Sequence, residues 1–458
     1  MNNGCRGLPA EKETKIMHKI GLISLGCAKN LVDSEQMLSL LADAGYELVG
    51  DLEDAEGVLV NTCGFIDDAK SEAIENLLEL AELKKEGKLQ VIVAAGCMVE
   101  RYRDEVLREI PEIDALLGCG SYHRIVEAVD AAFAKKPVCR FFDDINAPLR
   151  EISRVPCTPG YTAYVRIGEG CSNRCSYCVI PYLRGNYRSR DKEAILQECR
   201  ELAAAGAKEL IIIAQDITKY GTDRKDGYRL PQLLEDICRI EGPEWIRLHY
   251  LYPNGVTEEL ISCLERNPKI LRYLDIPIQH ISEKVLKAMN RHHTGAEVRE
   301  LFAALRRRLP GVVLRTSVMV GFPGEGRAEF DELCAFLREY RLERAGVFVF
   351  SPQEGTPAAE MKPQVGKATK QRRAEIVTDI QTAVMEEENA KLVGSEITVL
   401  CEGFDRYAEV WYGRSFADSP DVDGKVFFTA KDKPAPGDFV RVRVEEIMDG
   451  DPLGVRVE

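Results

Sequence analysis

Residues 170–178 read GCSNRCSYC, a stretch that holds three of the 15 cysteines of the chain. Its three cysteines, Cys171, Cys175 and Cys178, have three and then two residues between them. Closely spaced thiolates suit an iron–sulfur cluster. A tetrahedral zinc site normally takes a fourth cysteine or histidine nearby, and none of the six histidines is close in sequence. Three ligands leave one iron open, so the spacing predicts a cluster with a chemical role. A zinc site completed from elsewhere is the alternative.

The sequence around this motif alternates apolar runs with helical patterns. Six runs predict strands, at residues 161–167, 210–214, 246–250, 273–276, 312–320 and 345–350. Strands and helices that alternate in this way predict a full or partial β/α (TIM-like) barrel. The functional site of such a barrel lies at the carboxyl ends of its strands.

The chain before residue 145 shows the same alternation and predicts an α/β domain built on a parallel sheet. Its predicted strands are 20–25, 57–60, 91–95 and 115–117, and its helical patterns lie near 31–44, 67–86, 99–109 and 121–134.

A cysteine follows each of the first three strands of this domain. Cys27, Cys63 and Cys97 are separated by 36 and 34 residues, about one βα unit each. Ligands bind beyond the carboxyl ends of parallel strands, so these thiols can converge on one site. Small buried residues at tight turns are the alternative, because free cysteine is often buried. Cys119, which follows the fourth strand, does not fit the count of three.

The rest of the chain predicts a linker, a long helix and a second kind of domain. Residues 146–160 contain three prolines and little periodicity, and a helical pattern covers 368–392. The β-rich sequence after it predicts a small antiparallel barrel. We therefore expect domains at 18–145, 161–390 and 391–458, joined first by a linker at 146–160. Residues 1–17 have no core pattern, so we expect a disordered extension. We expect its first sixteen residues to be dispensable, with Met17 as a candidate natural start.

Composition narrows the classes of function. No apolar run approaches 18 residues, so no membrane span is expected, and the polar N-terminus lacks the core of a signal peptide. The chain is therefore expected to be cytoplasmic. Its 15 cysteines would be reduced there, which favours metal or catalytic roles over disulfides. The net charge of −14 favours a basic protein partner or a small substrate over nucleic acid.

The motif at 170–178, with an aromatic residue before its last cysteine and a strand before the trio, resembles the radical S-adenosylmethionine (SAM) superfamily. The resemblance covers residues 161–388. It implies that the open iron of a [4Fe-4S] cluster binds the methionine part of SAM. One electron then cleaves SAM to methionine and a 5′-deoxyadenosyl radical, which removes a hydrogen atom from an unactivated carbon.

Under this resemblance, polar residues at strand ends, one arginine and two aromatic residues become candidates for SAM binding. Caps and an ordinary turn are the alternative explanation for them. The candidates are Gln215 and Asp216 for the ammonium, Gln279 or His280 for the ribose, Arg315 for the carboxylate, and Tyr177 and Phe322 for adenine. Arg184, Arg188 and Arg190, which follow the cysteine trio, are candidates for holding SAM or a substrate carboxylate, or else form a solvated basic loop.

The three predicted domains together resemble the methylthiotransferase family. The resemblance implies that Cys27, Cys63 and Cys97 hold a second [4Fe-4S] cluster, that Cys119 does not, and that the last domain is a substrate-recognising TRAM domain. The second cluster would carry an exchangeable sulfur that one SAM methylates. The substrate radical would then take up the resulting methylthio group. Flavodoxin or ferredoxin would supply electrons at low potential. The alternative to an enzyme is a binding or regulatory protein that holds the clusters but catalyses no reaction.

One branch of this family modifies adenosine in transfer RNA. The other modifies the β-carbon of an aspartate in small-subunit ribosomal protein twelve, and the stretches SLGCAKNLVDSE (24–35) and DIPIQHISEKVLKAMNR (275–291) are similar to it. Residues 394–458 hold eight Lys and Arg against fourteen Asp and Glu, a net charge of −6, whereas a module that grips RNA needs a basic face. We therefore expect a ribosomal-protein methylthiotransferase with no direct transfer-RNA substrate; the transfer-RNA branch is the alternative.

Overall fold

The computed structural model describes residues 18–457, so the expected disordered extension at 1–17 lies outside the described residues. The chain divides into two compact units. The first runs to Asp144 and includes Ile152–Val155, and the second comprises Ile145–Glu151 and Pro156–Glu458. The predicted linker thus contributes residues to both units. Within residues 18–457, no helix is both long enough and apolar enough to cross a bilayer.

The first unit contains a sheet and its covering helices. The strands are β1 (Lys19–Ser24), β2 (Glu47–Leu48), β3 (Gly57–Thr62), β4 (Val91–Gly96), β5 (Ala115–Leu117) and β6 (Cys139–Phe141). The helices are α1 (Ala28–Asp43), α2 (Asp67–Lys85), α3 (Cys97–Tyr102), α4 (Asp104–Glu109) and α5 (Ile125–Phe133). In the described part of the chain these strands pair in the order β2-β1-β3-β4-β5-β6, and every pair is parallel.

Buried apolar runs explain the centre of this sheet. β3 and β4 are buried over their whole length, as strands covered on both faces are. Met37 of α1 and Val129 of α5 belong to one core cluster, whereas Leu77 of α2 and Val106 of α4 belong to another. Helices therefore cover both faces, and the predicted parallel-sheet α/β domain is confirmed.

Two details of this unit differ from the sequence prediction. The helical pattern at 99–109 forms two short helices, because Arg103 between α3 and α4 has a φ of 44° that interrupts the helix. Sequence periodicity did not predict β2 and β6. Strands of two or three residues are too short to show an alternating pattern.

The second unit begins with a sheet whose strands alternate with helices. The strands are β7 (Thr162–Arg166), β8 (Gly168–Glu169), β9 (Arg188–Ser189), β10 (Glu209–Ile213), β11 (Trp245–Leu248), β12 (Ile270–Asp275), β13 (Val313–Val320) and β14 (Arg344–Val349). The helices are α6 (Ile180–Arg184), α7 (Lys192–Ala204), α8 (Leu230–Cys238), α9 (Glu258–Arg266), α10 (Glu283–Ala288), α11 (Gly295–Arg308), α12 (Arg327–Tyr340), α13 (Pro357–Glu360) and α14 (Lys367–Ala390).

Strand order confirms the partial barrel. Among the described residues, β14-β13-β12-β11-β10-β7 form an open sheet in which every neighbouring pair is parallel. Alternate residues such as Val165, Leu210 and Ile212 pack in the core under the helices. The opposite face carries polar side chains, including the fully buried Arg247 of β11. β8 and β9 form a separate antiparallel ribbon beside the cysteine motif.

The chain ends in a small closed barrel, as predicted. Its strands are β15 (Glu396–Asp405), β16 (Val410–Ser415), β17 (Val426–Thr429), β18 (Phe439–Met448) and β19 (Asp451–Val457). They close in the order β15-β16-β17-β19-β18, and β17 pairs with β19 in parallel while the other pairs are antiparallel. The sequence patterns did not indicate β19, because Pro452 and Gly454 weaken its strand signal.

A buried ion-pair network joins the open sheet to the barrel inside the second unit. Glu209 of β10 accepts hydrogen bonds from Nε of Arg247 and from Nη2 of Arg414 on β16, each at 2.7 Å. Burial opposes the charge of Glu209, but the two guanidinium groups hold its pKa at about 2. Removal of one member of a buried pair typically costs about 3–5 kcal/mol. We therefore expect this network to stabilise the association of sheet and barrel.

Candidate active site: two groups of cysteines

The structure brings Cys27, Cys63 and Cys97 to one edge of the first sheet. β1 pairs with β3 through Ser24 and Asn61, and β3 pairs with β4 as far as Thr62 and Gly96. The three cysteines follow these three neighbouring strands directly or within a short turn. Cys27 then precedes α1, and Cys97 is the first residue of α3. The register of the sheet thus places together thiols that are far apart in sequence.

Glycines allow the cysteine loops to approach one another. A Cβ at Gly26, which has a φ of +90°, would lie 2.7 Å from the Cβ and 3.0 Å from the Sγ of Cys63. A Cβ at Gly64 would lie 2.7 Å from the Cα of Met98, immediately after Cys97. Real side chains do not tolerate such contacts, so these glycines form a cradle in which the cysteine turns lie side by side.

Buried polar side chains fix the same turns. Asn30 on α1 donates from Nδ2 to the carbonyl oxygens of Leu25 and Thr62, each at 3.0 Å. Asn61 donates to the carbonyl oxygen of Asn30 at 2.8 Å and to Oγ of Ser34 at 2.9 Å. Sequence reasoning missed these residues, although Asn30 and Asn61 stand within three residues of the cysteines in the stretches GCAKN and NTC.

The residues present at this edge fit a group held by thiolates. The donor set is three thiols, the ligands that iron–sulfur clusters take. Among residues 18–457, no three His, Cys, Asp or Glu side chains converge as the ligands of a single metal ion would. A four-iron cluster binds its thiolates at different irons, so its ligands need not converge on one point.

The second group of cysteines lies in one loop of the second unit, between β8 and α6. The backbone N–H of Cys171 donates to the carbonyl oxygen of Gly185 at 3.0 Å. Ser176 donates through its N–H to Met289 and through Oγ to Ala288, both at the end of α10. Asn173 donates from Nδ2 to Asp216 at 2.8 Å. Hydrogen bonds therefore hold the loop both between Cys171 and Cys175 and between Cys175 and Cys178.

The three thiols are partly buried, and the partly buried guanidinium of Arg291 lies beside one of them. Burial raises the pKa of Cys171 to about 11 and raises that of Cys178 well above its ordinary value. Thiols in such surroundings become thiolates only when a positive charge compensates them, as a bound metal does. Arg291 donates from Nη1 to Sγ of Cys175 at 3.7 Å, and its guanidinium lies 4.2 Å from the ring centre of Tyr252. Sequence reasoning missed Arg291, because the segment MNRHHTG (289–295) is distant from the cysteine loop in sequence and lies beside it only in the folded chain.

Gln215 and Asp216, at the end of β10, lie beside the cysteine loop. Gln215 donates from Nε2 to Glu169 at 2.8 Å, whereas its buried Oε1 has no partner within the described chain. Asp216 accepts from Asn173 and from the hydroxyl and N–H of Thr218, and burial raises its pKa. An unpaired buried acceptor next to a thiol loop fits a site for a cationic group.

The aromatic candidates also come together. Tyr177 meets Phe322 edge to face with ring centres 6.4 Å apart, and Phe322 contacts Phe350 in the same way at 5.1 Å. These rings form an apolar wall beside the cysteine loop. That arrangement is compatible with the adenine contact predicted for Tyr177 and Phe322, which stays a prediction.

The remaining SAM candidates are tied into the sheet. Gln279 has a φ of 68° and its backbone bonds to Ser317 and Met319 on β13. His280 is fully buried, its Nδ1 accepts from the N–H of Ser282, and burial lowers its pKa to about 3. Arg315 pairs with Asp275 at 2.6 Å. Their predicted contacts with ribose and carboxylate stay predictions.

The arginines after the cysteine trio do not form a solvated loop. Arg184 and Arg190 are buried. Arg184 pairs with Glu169 at 3.1 Å, and Arg190 pairs with both Glu151 and Glu198 at 2.6 Å. Burial opposes the charge of Glu169, but Arg184 and Arg166 lower its pKa to about 2. Arg188, which is less buried, donates to backbone carbonyls such as that of Ala147. The solvated alternative is therefore wrong for Arg184 and Arg190.

Three family models match successive parts of the chain. Uncharacterized protein family UPF0004 matches residues 19–118, the Radical SAM superfamily matches 165–337, and the TRAM domain matches 393–457. Among solved structures, the radical SAM methyltransferase TsrM from Kitasatospora setae superimposes with a TM-score of 0.56 at 16% identity, covering 75% of this chain and 77% of that one. At such identity the likeness shows the fold alone.

Curated relatives match the chain over nearly its whole length. A protein of Thermoanaerobacter sp. (strain X514) is 45% identical over 438 residues, which cover 96% of this chain and 100% of the relative. A protein of Geobacter sulfurreducens is 44% identical over 95% of this chain and 98% of its own length. Both are named ribosomal protein uS12 methylthiotransferase RimO. The chain therefore belongs to the RimO family of methylthiotransferases, radical SAM enzymes whose cofactors are SAM and [4Fe-4S] clusters.

Proposed function

We propose that this enzyme attaches a methylthio group to the β-carbon of an aspartate in ribosomal protein uS12. The observation that carries the proposal is its identity of 44–47%, over nearly the whole length, to relatives named for that reaction. The net charge of −6 over residues 394–458 supports it, because an acidic barrel attracts a basic ribosomal protein and repels phosphates. The same charge disfavours transfer RNA as the substrate.

We further propose a separate role for each group of cysteines. Cys171, Cys175 and Cys178 would hold the cluster that supplies the electron for SAM cleavage, and Cys27, Cys63 and Cys97 would hold the cluster that supplies the transferred sulfur. Their support is the short spacing of the first trio and the shared sheet edge of the second. When bound, the clusters supply the reducing electron and the sulfur atom, while the protein supplies position and excludes water.

Residues around the radical site then have defined tasks. Asn173 and Ser176 keep the cysteine loop in one conformation through their bonds to Asp216 and α10. Gln215 offers its unpartnered Oε1, among the described atoms, to the ammonium group of SAM. Arg291 keeps a positive charge beside Cys175, which stabilises a thiolate there. Tyr177 and Phe322 provide an apolar wall for adenine.

Two further parts of the proposal concern the cellular setting. The enzyme needs a low-potential electron donor of the flavodoxin or ferredoxin type, because iron–sulfur potentials span a wide range and SAM cleavage requires the reducing end. We place the reaction in the cytoplasm, where its ribosomal substrate is made and its free thiols stay reduced.

Substrate choice tests the proposal. Protein reconstituted without oxygen receives SAM, a reductant and a sulfide source, with purified uS12 and unmodified transfer RNA offered side by side. Mass spectrometry should find a methylthio group in place of a hydrogen on one aspartate of uS12, and unchanged RNA. Modified RNA with unchanged uS12 would contradict the proposal. The variant Cys175→Ala, which removes one ligand of the radical site, serves as the inactive control.

A further inference from the structure

Cys119 occupies the same register position beyond the sheet edge as Cys63 and Cys97. It follows β5, and β5 pairs with β4 through Leu117 and Ala95. Cys119 and Cys97 each stand two residues beyond this pair, so they continue the same register. The edge of the sheet thus carries cysteines after four neighbouring strands of the described chain, β1, β3, β4 and β5. The roles proposed above account for only the first three.

Contacts place the Cys119 thiol against that of Cys97. Their Sγ atoms are 3.9 Å apart. The N–H of Cys119 donates to Oε2 of the buried Glu100 on α3 at 3.0 Å, which fixes the loop beside the helix that begins at Cys97. A disulfide requires sulfurs about 2.05 Å apart, so the two thiols must approach each other by about 1.9 Å to form one.

We propose that Cys97 and Cys119 form a reversible disulfide when the first cysteine group holds no cluster. Formation of the disulfide does not depend on the proposed function. Its effect on iron binding rests on the proposed role of Cys97 as a cluster ligand. A cysteine engaged in a disulfide has no thiolate to offer iron, so the bond closes the site to metal until it is reduced. The same bond would keep Cys97 from irreversible oxidation while the site is empty.

The chemistry balances with a peroxide as the oxidant. Cys119 is half-buried and Cys97 is buried, so a peroxide reaches Cys119 first. The Cys119 thiolate attacks one peroxide oxygen and becomes a sulfenic acid, with release of hydroxide. The Cys97 thiolate then attacks the sulfenic sulfur, which forms the S–S bond and releases water after protonation. The two thiols lose two electrons, which the peroxide accepts, and a dithiol reductant of the thioredoxin type reverses the step.

Peptide mapping tests the bond directly. Trypsin separates the four cysteines, because Cys97 lies in residues 89–101, Cys119 in 109–124, Cys63 in 30–70 and Cys27 in 20–29. The cluster-free full-length chain is treated with hydrogen peroxide, alkylated and digested without reductant. We expect the linked peptide 89–101/109–124 to exceed any link from Cys97 to Cys27 or Cys63 at least tenfold.

Variants and loading complete the test. Cys119→Ser, with Cys119→Ala in reserve should the serine variant fold poorly, removes the linked peptide, whereas Cys139→Ser on the next strand keeps it. In a chain that lacks Cys171, Cys175 and Cys178, peroxide should block iron uptake by the first group until a dithiol is added, and Cys119→Ser should relieve the block. Cluster-loaded protein should not form the link.

The outcomes separate this inference from the proposed function. Cys97 linked mainly to Cys27 or Cys63, or Cys119 recovered fully alkylated, would overturn the inference and leave the ligand roles intact. A Cys97–Cys119 link that leaves iron uptake unchanged would support the pair and contradict the proposed role of Cys97.

Discussion

The two groups of cysteines are built in opposite ways. Cys171, Cys175 and Cys178 lie within eight residues of one loop, whereas Cys27, Cys63 and Cys97 span 71 residues and meet only at a sheet edge. Hydrogen bonds to one loop position the first group, and the register of three parallel strands positions the second. A compact motif can therefore be recognised locally, while a dispersed one depends on the whole domain being folded.

Removal of each trio gives the largest expected effect. The triple variant C171A/C175A/C178A and the triple variant C27A/C63A/C97A should each retain about half of the iron and sulfide of the wild type, because each loses one four-iron cluster. Chemical analysis of iron and sulfide after reconstitution measures this. The assignment of one cluster to each trio is contradicted if either triple variant binds as much iron and sulfide as the wild type, or binds none.

The second unit has its own stabilising network, which can be broken without touching the first. Glu209→Ala leaves the buried Arg247 without its carboxylate and leaves Arg414 with Glu402 alone, so we expect a loss of about 3–5 kcal/mol in the free energy of unfolding. The two tryptophans of the chain, Trp245 and Trp411, both lie in this unit. Their fluorescence in urea therefore reports its unfolding alone.

A matched control and a pH profile sharpen that test. Glu396→Gln removes the exposed ion pair with Arg441 in the same barrel and should change the urea midpoint far less. The pKa of Glu209 is lowered from 4.5 to about 2 in the folded state. Its stabilisation is therefore fully present above pH 4.5 and disappears as the pH falls towards 2. The difference in stability between wild type and Glu209→Gln should shrink over that range; a difference that grows on acidification would contradict the network.

Arg291 tests whether the compact motif depends on residues outside its loop. Arg291→Met removes the cation beside Cys175. We expect the rate of SAM cleavage to fall by roughly 10–100-fold, which is the usual effect of removing a residue that contacts a metal ligand. Release of 5′-deoxyadenosine measures it. Arg299→Met, on α11 with an exposed partner, should leave cleavage unchanged, and equal losses in both variants would remove Arg291 from the site.

Asn30 tests the dispersed group in the same way, with a smaller expected effect. Asn30→Ala removes two hydrogen bonds to the carbonyl oxygens of Leu25 and Thr62, just before Cys27 and Cys63, at a cost of about 1–3 kcal/mol. In the C171A/C175A/C178A background, its first cysteine group should bind iron less tightly. Asn76→Ala on the exposed face of α2 removes one bond to Glu72 and is the matched control. Unchanged iron binding in Asn30→Ala would show that the strands alone hold the cysteines.

The difference between the groups also explains what the sequence could reveal. Strand positions in both sheets followed from apolar runs such as GVLV and IIIA. The regular βα spacing indicated that Cys27, Cys63 and Cys97 could converge, and the family resemblance singled out these three and left out Cys119. Arg291, Asn30 and Glu209 could not be found this way, because their roles depend on contacts between residues distant in sequence. Local periodicity contains no information about such contacts.

Cys119 is a residue whose position the sequence revealed but whose contacts it did not. Its place after the fourth strand was visible in the sequence, yet only the pairing of β4 with β5 and the contact with Cys97 relate it to the other thiols. Likewise, the break at Arg103 depends on a backbone conformation that an arginine does not signal. Sequence thus located both groups of cysteines, and the structure supplied what supports them.

We propose that the two groups divide the reaction between SAM cleavage and sulfur transfer. The most direct test incubates the C27A/C63A/C97A variant with SAM, a reductant, sulfide and uS12, and measures 5′-deoxyadenosine and methylthiolated uS12 in the same sample. We expect 5′-deoxyadenosine still to form while uS12 gains no methylthio group. Methylthiolated uS12 from this variant, or loss of SAM cleavage from a variant that keeps its radical-site iron, would contradict the division of roles.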